Sequence, residues 1–245
     1  MTYSATRLTT SLLLAALTAV HFSAHAGLNE GLAAYDKAQY AAAMHELTPL
    51  AEKGHAKAQY RLGKMFNLGQ GLPPDKKEAA KWFHLAAQQG LAEAQGALGY
   101  LCLVGEGVSQ NNDLALAWTR KAAEQGDATA QFNLGMMHSE KFGIQKNPAE
   151  SLKWLRKAAD QRHVQAMNTL GSLYETGQAG VKRNPVFAHM LFDASAKKGD
   201  STAVARRQAL EKSLSASDIR ASKELARKWK PGANLEKALG GGISS

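Results

Sequence analysis

Apolar residues follow a helical period along most of this chain. Between residues 57 and 68 they stand three or four positions apart, which places them on one face of a predicted helix. These residues are Ala58, Leu62, Met65 and Phe66. Gly69 and Gly71 follow, and glycine readily adopts the left-handed conformation that ends a helix. Asp75 then stands where a second helix needs a capping side chain, so the segment predicts two antiparallel helices, A and B.

This two-helix segment recurs with a period of 36 residues. Four Leu-Gly pairs mark the A helices and begin at Leu62, Leu98, Leu134 and Leu170. Tryptophans mark three B helices at Trp82, Trp118 and Trp154. The side chains expected to cap the B helices are those of Asp75, Asn111, Asn147 and Asn184. The sequence therefore predicts four stacked repeats, of which the last is one residue longer.

Such a period predicts an all-α fold, a right-handed α-solenoid of antiparallel helix pairs. The composition agrees, since the chain has 44 alanines, which favour helices, and 10 valines and isoleucines, which favour strands. The glycine of each Leu-Gly pair is expected to let two helices approach closely. A leucine in place of Gly99 should therefore force the helices apart.

The predicted organisation places weaker repeats and processing segments around the four full repeats. In chain order, we expect a signal peptide at 1–26, a degenerate capping repeat at 27–55, full repeats at 56–90, 91–126, 127–162 and 163–199 (together 56–199), capping helices at 200–231, and a disordered tail at 232–245.

The first 26 residues have the features of an export signal. Arg7 precedes a short apolar stretch at Leu12–Val20, which is too short to span a bilayer. Small residues at Ala24 and Ala26 predict cleavage after Ala26. No cysteine follows the apolar stretch, which excludes a lipoprotein. We therefore expect a periplasmic or secreted protein without a membrane span, the alternative being an uncleaved amphipathic helix.

Charge and cysteine content narrow the classes of partner. The net charge is +9, and removal of Arg7 with the signal peptide leaves +8, which favours acidic partners. No zinc spacing or basic-aromatic signature indicates nucleic-acid binding. Cys102 is the single cysteine, so no internal disulfide can form. Its position on the apolar face of a helix predicts a buried, unreactive thiol, and hence a monomer.

The repeat motifs resemble those of the Sel-one-like repeat family, a branch of the tetratricopeptide-like α-solenoids. Gly105-Glu106-Gly107-Val108 and Trp118-Thr119-Arg120-Lys121-Ala122-Ala123 carry the resemblance most closely. It implies an interaction scaffold with variable partners. Some exported members have a disulfide in every repeat, and a few of these bind penicillin or hydrolyse β-lactams. This chain lacks those cysteines, which weighs against that activity.

No residue pattern indicates an enzyme, a cofactor or a metal site. Among the six histidines that remain after the predicted cleavage, no two lie three or four positions apart, and His138 occupies the aromatic packing position of its repeat. Ser195 and Lys198 form a Ser-x-x-Lys motif of the kind found in penicillin-recognising enzymes, but no Lys-Thr-Gly partner is present. Ser195 also occupies a small-residue packing position. We therefore expect no catalytic residue.

The resemblance implies a groove lined by the exposed sides of the A helices. The candidate groove residues are Arg61, Lys64, Tyr100, Asn133, Met136 and Ser172. A separate basic patch is expected near the C-terminus, with Arg206, Arg207, Arg220, Lys223, Arg227 and Lys228. The leading hypothesis is a non-enzymatic periplasmic adaptor that binds a protein or peptide in the groove. The alternatives are binding or hydrolysis of peptidoglycan or another anionic envelope polymer, and interaction with β-lactams.

Overall fold

The computed structural model describes residues 27–139, 145–230 and 235, and the regular secondary structure within them is entirely helical. Helix α1 covers residues 27–36. It is followed by α2 (Tyr40–Glu52), α3 (Ala56–Leu68), α4 (Lys76–Gln88), α5 (Ala92–Val104), α6 (Asn112–Glu124), α7 (Ala128–Ser139), α8 (Pro148–Asp160), α9 (Val164–Thr176), α10 (Pro185–Ala196), α11 (Ser201–Glu211) and α12 (Ala216–Lys228). The predicted all-α solenoid of helix pairs, each about 36 residues long, is confirmed.

The chain forms two compact units, Met1–Gln110 with α1–α5 and Asn111–Ser245 with α6–α12. In the first unit, α2 packs against α3, α3 against α4, and α4 against α5. In the second unit, neighbouring helices pack against each other from α6 as far as α11, and α12 packs back against α10. Packing between neighbours in sequence is what a repeat protein requires, because each helix pair buries its apolar face on the next pair.

Glycines of the Leu-Gly pairs lie directly against B helices, as predicted. A Cβ atom on Gly63 would stand 2.7 Å from the ring of Phe83. The equivalent atom on Gly171 would stand 2.7 Å from the ring of Phe192. The absence of a side chain in the A helix thus makes room for a large side chain from the B helix. This contact sets how closely the two helices of a repeat approach.

The predicted caps of the B helices are confirmed. The side chains of Asp75, Asn111, Asn147 and Asn184 accept hydrogen bonds from backbone N–H groups in the first turns of α4, α6, α8 and α10. Pro148 and Pro185 occupy the first turn of α8 and α10, where a proline leaves no hydrogen bond unmade. Local chemistry therefore fixes the start of every B helix in the four repeats.

A series of buried glutamines was not predicted from the sequence. Gln59, Gln95 and Gln131 follow the period of 36 residues and are at most 5% exposed. Their Nε2 atoms donate to the carbonyl oxygens of Ala51, Ala87 and Ala123 at 3.0, 3.2 and 3.1 Å, respectively. Each bond ties an A helix to the last turn of the preceding B helix. Met167 occupies the same position in the fourth repeat.

The glutamine bond can be tested at Gln131, which also accepts a hydrogen bond from Gln161. We expect Gln131→Ala to lower the free energy of unfolding by about 2–4 kcal/mol, because it opens a cavity and removes the buried hydrogen bond to the Ala123 carbonyl. Gln131→Met copies the residue found in the fourth repeat and keeps the volume, so its cost should be about 1–2 kcal/mol. Urea denaturation measures both. Equal losses in the two variants would show that the side-chain volume contributes nothing.

Two of the predicted segments fall largely outside the described residues. The predicted signal peptide at 1–26 lies wholly outside them, as does the predicted tail at 232–245 except for Leu235. The Leu235 side chain is fully buried in the core of the second unit, together with Trp229. Across the part of the chain that the structure describes, every helix is too short or too polar to cross a membrane.

Candidate functional site

Two of the predicted groove residues, Arg61 and Lys64, converge on one aromatic ring in the first unit. The Arg61 guanidinium lies 4.8 Å from the centre of the Tyr35 ring, and the Lys64 ammonium lies 5.5 Å from it. The Tyr35 hydroxyl donates to Gln70 at 2.8 Å, and Gln70 in turn donates to the Tyr40 hydroxyl at 3.0 Å. Helix α1 thus supplies the ring that orders the two cations of α3.

Within the described residues, neither Arg61 nor Lys64 forms an ion pair. A tyrosine face attracts a cation through its quadrupole but does not neutralise its charge. The two half-buried side chains therefore hold two positive charges in fixed positions, one helical turn apart on α3.

Exposed apolar side chains accompany these cations in the first unit. Tyr100, a predicted groove residue, is 50% exposed, and it occupies in α5 the repeat position that Lys64 occupies in α3. Leu68 and Val104 are 56% and 41% exposed and also share one repeat position. We call Arg61, Lys64, Leu68, Tyr100 and Val104 the A-helix surface. Leu68 and Val104 were missed, although their spacing of 36 residues, one turn beyond Lys64 and Tyr100, could have revealed them.

In the second unit, the predicted groove residues take part in internal contacts to different degrees. Met136 packs against the apolar core, while Asn133 is half-buried on α7. The Ser172 hydroxyl donates to the carbonyl of Asn168 and accepts from Arg206 at 2.5 Å. Arg206 was predicted as part of the basic patch, so the structure brings together one residue from each predicted surface.

The six residues of the predicted basic patch differ in their charge environment. Arg206 pairs with Glu175 at 3.1 Å, Arg207 with Asp193 at 3.0 Å, and Arg227 with Glu224 at 2.9 Å. The other three, Arg220, Lys223 and Lys228, are exposed and form no ion pair within the described residues. The uncompensated positive charge of this region is therefore concentrated on α12.

The carboxylate of Asp193 binds the Arg207 guanidinium and so fixes its position. Burial alone would raise the pKa of Asp193, but hydrogen bonds and charge from Lys197 and Arg207 outweigh that cost and lower it below its ordinary value. Lys197 lies 2.6 Å from the carboxylate. The pair of cations thus keeps Asp193 ionised and makes Arg207 a structural residue rather than a free surface charge.

One hydrogen-bonded chain in the second unit has the order of a catalytic triad. His189 Nδ1 lies 2.7 Å from the Ser222 hydroxyl, and His189 Nε2 lies 3.1 Å from a carboxylate oxygen of Glu211. Ser222 and His189 are each 1% exposed. A nucleophile must reach its substrate, and Ser222 is enclosed by α10 and α12. These hydrogen bonds instead satisfy the two ring nitrogens of the buried His189 and join α10, α11 and α12.

The other residues considered for chemistry are buried to different degrees. Ser195 is fully buried in α10, while Lys198 of the same motif is exposed. Cys102 is 5% exposed, as predicted, and burial raises the pKa of its thiol. His138 is half-buried, and burial lowers the pKa of its imidazole. The described residues contain no group of three or more side chains that could hold a metal ion.

The helices form repeated pairs, glycines let the two helices of a pair approach closely, and the exposed A helices carry an ordered basic and apolar surface. These features define a helical repeat protein of the α-solenoid class. The family model for the Sel1 repeat matches residues 56–91, 92–127, 128–163 and 164–200, more than half of the chain. The chain therefore belongs to the Sel1 repeat family. Sel1 repeat proteins generally mediate protein–protein interactions and are typically non-catalytic scaffolds.

Solved structures of two bacterial proteins share this fold. A Sel1 repeat protein from Oxalobacter formigenes is 35% identical, with a TM-score of 0.61, over 72% of each chain. The protein c5321, a protective antigen of uropathogenic Escherichia coli with an SLR fold, is 27% identical, with a TM-score of 0.76. That match covers 91% of this chain and 49% of the antigen, so this chain spans about half of its length. Comparison with curated proteins gave no significant match.

Proposed function

We propose that this protein is a non-enzymatic adaptor that holds a protein or peptide partner on its A-helix surface. The observation that carries the proposal is that Arg61 and Lys64, which lie on the Tyr35 ring, pair with no acid in the part of the chain that the structure describes, while exposed apolar residues occupy equivalent positions of α3 and α5. Arg61 and Lys64 supply positive charge in an ordered arrangement. Leu68, Tyr100 and Val104 supply apolar area that a partner can bury.

This arrangement favours a partner with a particular chemistry. A carboxylate placed between Arg61 and Lys64 would form charge-assisted hydrogen bonds without displacing a competing acid. Apolar side chains nearby in the partner would cover Leu68 and Val104. We therefore propose an extended or helical peptide segment that combines acidic and large apolar residues.

The cellular setting is part of the proposal. The short apolar segment at 12–20 and the small residues before Gly27 support export to the periplasm or the medium. A buried single thiol supports a monomer, because Cys102 cannot reach a second chain without local unfolding. A protein of net charge +8 after cleavage would find acidic partners there by electrostatic attraction.

Peptide selection tests the proposed function. A random peptide library displayed on phage is selected on the immobilised protein, and enriched peptides are measured by fluorescence anisotropy. We expect peptides with an acidic residue close to large apolar residues. The double variant Arg61→Gln/Lys64→Gln should bind them at least about ten-fold more weakly, and Leu68→Gln/Val104→Gln should have a similar effect.

Matched substitutions on the same helices provide the control. Lys57 on α3 is exposed and lies outside the A-helix surface, so Lys57→Gln removes a charge without touching the proposed site. Its affinity should stay within about two-fold of wild type at moderate salt. Enrichment of peptides without acidic residues, or equal binding by all variants, would exclude the A-helix surface as the binding site.

The second candidate function is electrostatic binding to peptidoglycan or a related anionic envelope polymer through α12. Arg220, Lys223 and Lys228 favour it, because they are exposed and pair with no acid among the described residues. Retention on purified sacculi should then fall between about 50 and 200 mM salt and should depend on these three residues rather than on Arg61. The burial of Ser195 and Ser222 weighs against hydrolysis of the polymer or of β-lactams.

A further inference from the structure

A cleft with an apolar floor lies in the first unit, apart from the A-helix surface. Its volume is about 530 Å³, within the range of small-molecule binding sites. Ala80 of α4 and Leu98 of α5 are among the residues that line it. Because Ala80 has a short side chain, α4 leaves space above Leu98 that a larger residue would fill. Leu85 and Val108 also line the cleft, and Leu85 is 42% exposed.

Two lysines stand beside this apolar floor. Lys77 and Lys81 line the cleft and are four residues apart, on one face of α4. Lys81 is held by Glu78 at 2.7 Å, which compensates part of its charge. Lys77 is exposed and forms no ion pair within the described residues, so its ammonium group is available to an anion.

We propose that this cleft binds a small amphiphilic carboxylate, with its apolar chain over Ala80 and Leu98 and its carboxylate at Lys77 and Lys81. Apolar lining combined with one-sided positive charge matches a ligand with an alkyl body and a single anionic end. A neutral apolar molecule would leave Lys77 unused, and a highly charged anion would leave Leu85 and Leu98 uncovered. The site involves neither Arg61 nor Tyr100, so it is independent of the proposed peptide groove.

Calorimetric titration with hexanoate, octanoate and decanoate, each below its micelle concentration, tests the apolar part of the site. Each added methylene should tighten binding by about three- to four-fold, because it removes further apolar surface from water. Octylammonium, which has the same chain and the opposite charge, should bind at least about ten-fold more weakly than octanoate. Affinities that do not change with chain length would overturn the proposal.

Variants test the position of the carboxylate. Lys77→Gln/Lys81→Gln should weaken octanoate binding by about five- to ten-fold, whereas Lys53→Gln/Lys57→Gln, which removes two exposed charges elsewhere in the same unit, should change it by less than about two-fold. Leu85→Gln should weaken binding, and Leu68→Gln on the A-helix surface should not. Equal weakening by both lysine pairs would contradict the assignment. Thermal unfolding of each variant confirms that it remains folded.

The tests of the cleft and of the proposed adaptor function can succeed or fail independently of each other. Loss of peptide binding in the A-helix variants with unchanged octanoate binding would support both proposals. Octanoate binding that disappears in Leu68→Gln but survives in Leu85→Gln would place the amphiphile on the A-helix surface and overturn the cleft assignment.

Discussion

Trp229→Ala is expected to lower the free energy of unfolding by about 3–5 kcal/mol, the range for losing a fully buried tryptophan. Trp229 follows α12 and is 1% exposed in the core of the second unit. Its indole N–H donates to Asp160 at 3.0 Å, and its carbonyl accepts from Arg162 at 2.5 Å. The Arg162 guanidinium also lies 3.6 Å from the centre of the indole ring. One substitution therefore opens a large cavity and disrupts the contact between α12 and the turn after α8.

Trp229→Phe provides the matched comparison for this prediction. It keeps most of the apolar volume and loses the hydrogen bond to Asp160, so it should cost about half as much as the alanine variant. Chemical denaturation followed by circular dichroism measures both variants. A loss below about 1 kcal/mol for Trp229→Ala would mean that the end of α12 is not anchored in the fold.

A substitution of Arg162 tests how much its contacts with Trp229 stabilise this region, apart from the volume that the indole ring fills. It has a φ of +63° at the position where the other repeats have glycine, which costs about 1 kcal/mol. Burial lowers the pKa of its guanidinium, although arginine remains charged. Arg162→Gly would relieve the backbone and lose the contacts to Trp229, with a net loss of about 1–2 kcal/mol. A more stable variant would show that the backbone strain outweighs the contacts.

Gly107→Ala is expected to be as damaging as loss of Trp229, at about 3–5 kcal/mol, although it adds a single methyl group. Gly107 has a φ of +72°, and a Cβ atom there would overlap the backbone carbonyl of Lys76 at the start of α4. The neighbouring ion pair between Lys76 and Glu106, at 3.0 Å, keeps the loop against this helix. Backbone cannot move aside as a flexible side chain can, so the loop itself must shift.

Gly90→Ala separates the cost of the left-handed backbone conformation from the cost of the steric overlap. Gly90 has a φ of +88°, but a Cβ atom there would meet nothing within 4 Å. Its cost should be that of the left-handed conformation alone, about 1–2 kcal/mol. Thermal unfolding of the two variants checks the difference. If Gly107→Ala and Gly90→Ala lose the same stability, the loop after α5 does not pack against α4 as described.

The contacts that recur every 36 residues can be predicted from the sequence. This holds for the helix caps and the glycine contacts, and also for the buried glutamines. The caps at Asp75 and Asn147 and the close approach at Gly63 follow from local chemistry repeated every 36 residues. The buried glutamines carry the same signal, because Gln59, Gln95 and Gln131 also recur every 36 residues. Gln59 shows why it can be buried, since its amide is satisfied by the preceding helix.

Local sequence by itself determined the repeat length, the helix pairs and their boundaries, because each repeat meets the same neighbours and so needs the same residues. Only the tertiary structure decided where non-repeating residues make contact. Trp229 reaches Arg162 across 67 positions, and Arg61 covers a tyrosine of the degenerate first helix. Each of these contacts joins a residue of a repeat to a residue outside the four repeats, so no spacing in the sequence predicts it. The uncompensated charge on α3 and the cleft beside α4 depend on such contacts and on the folded positions of the helices.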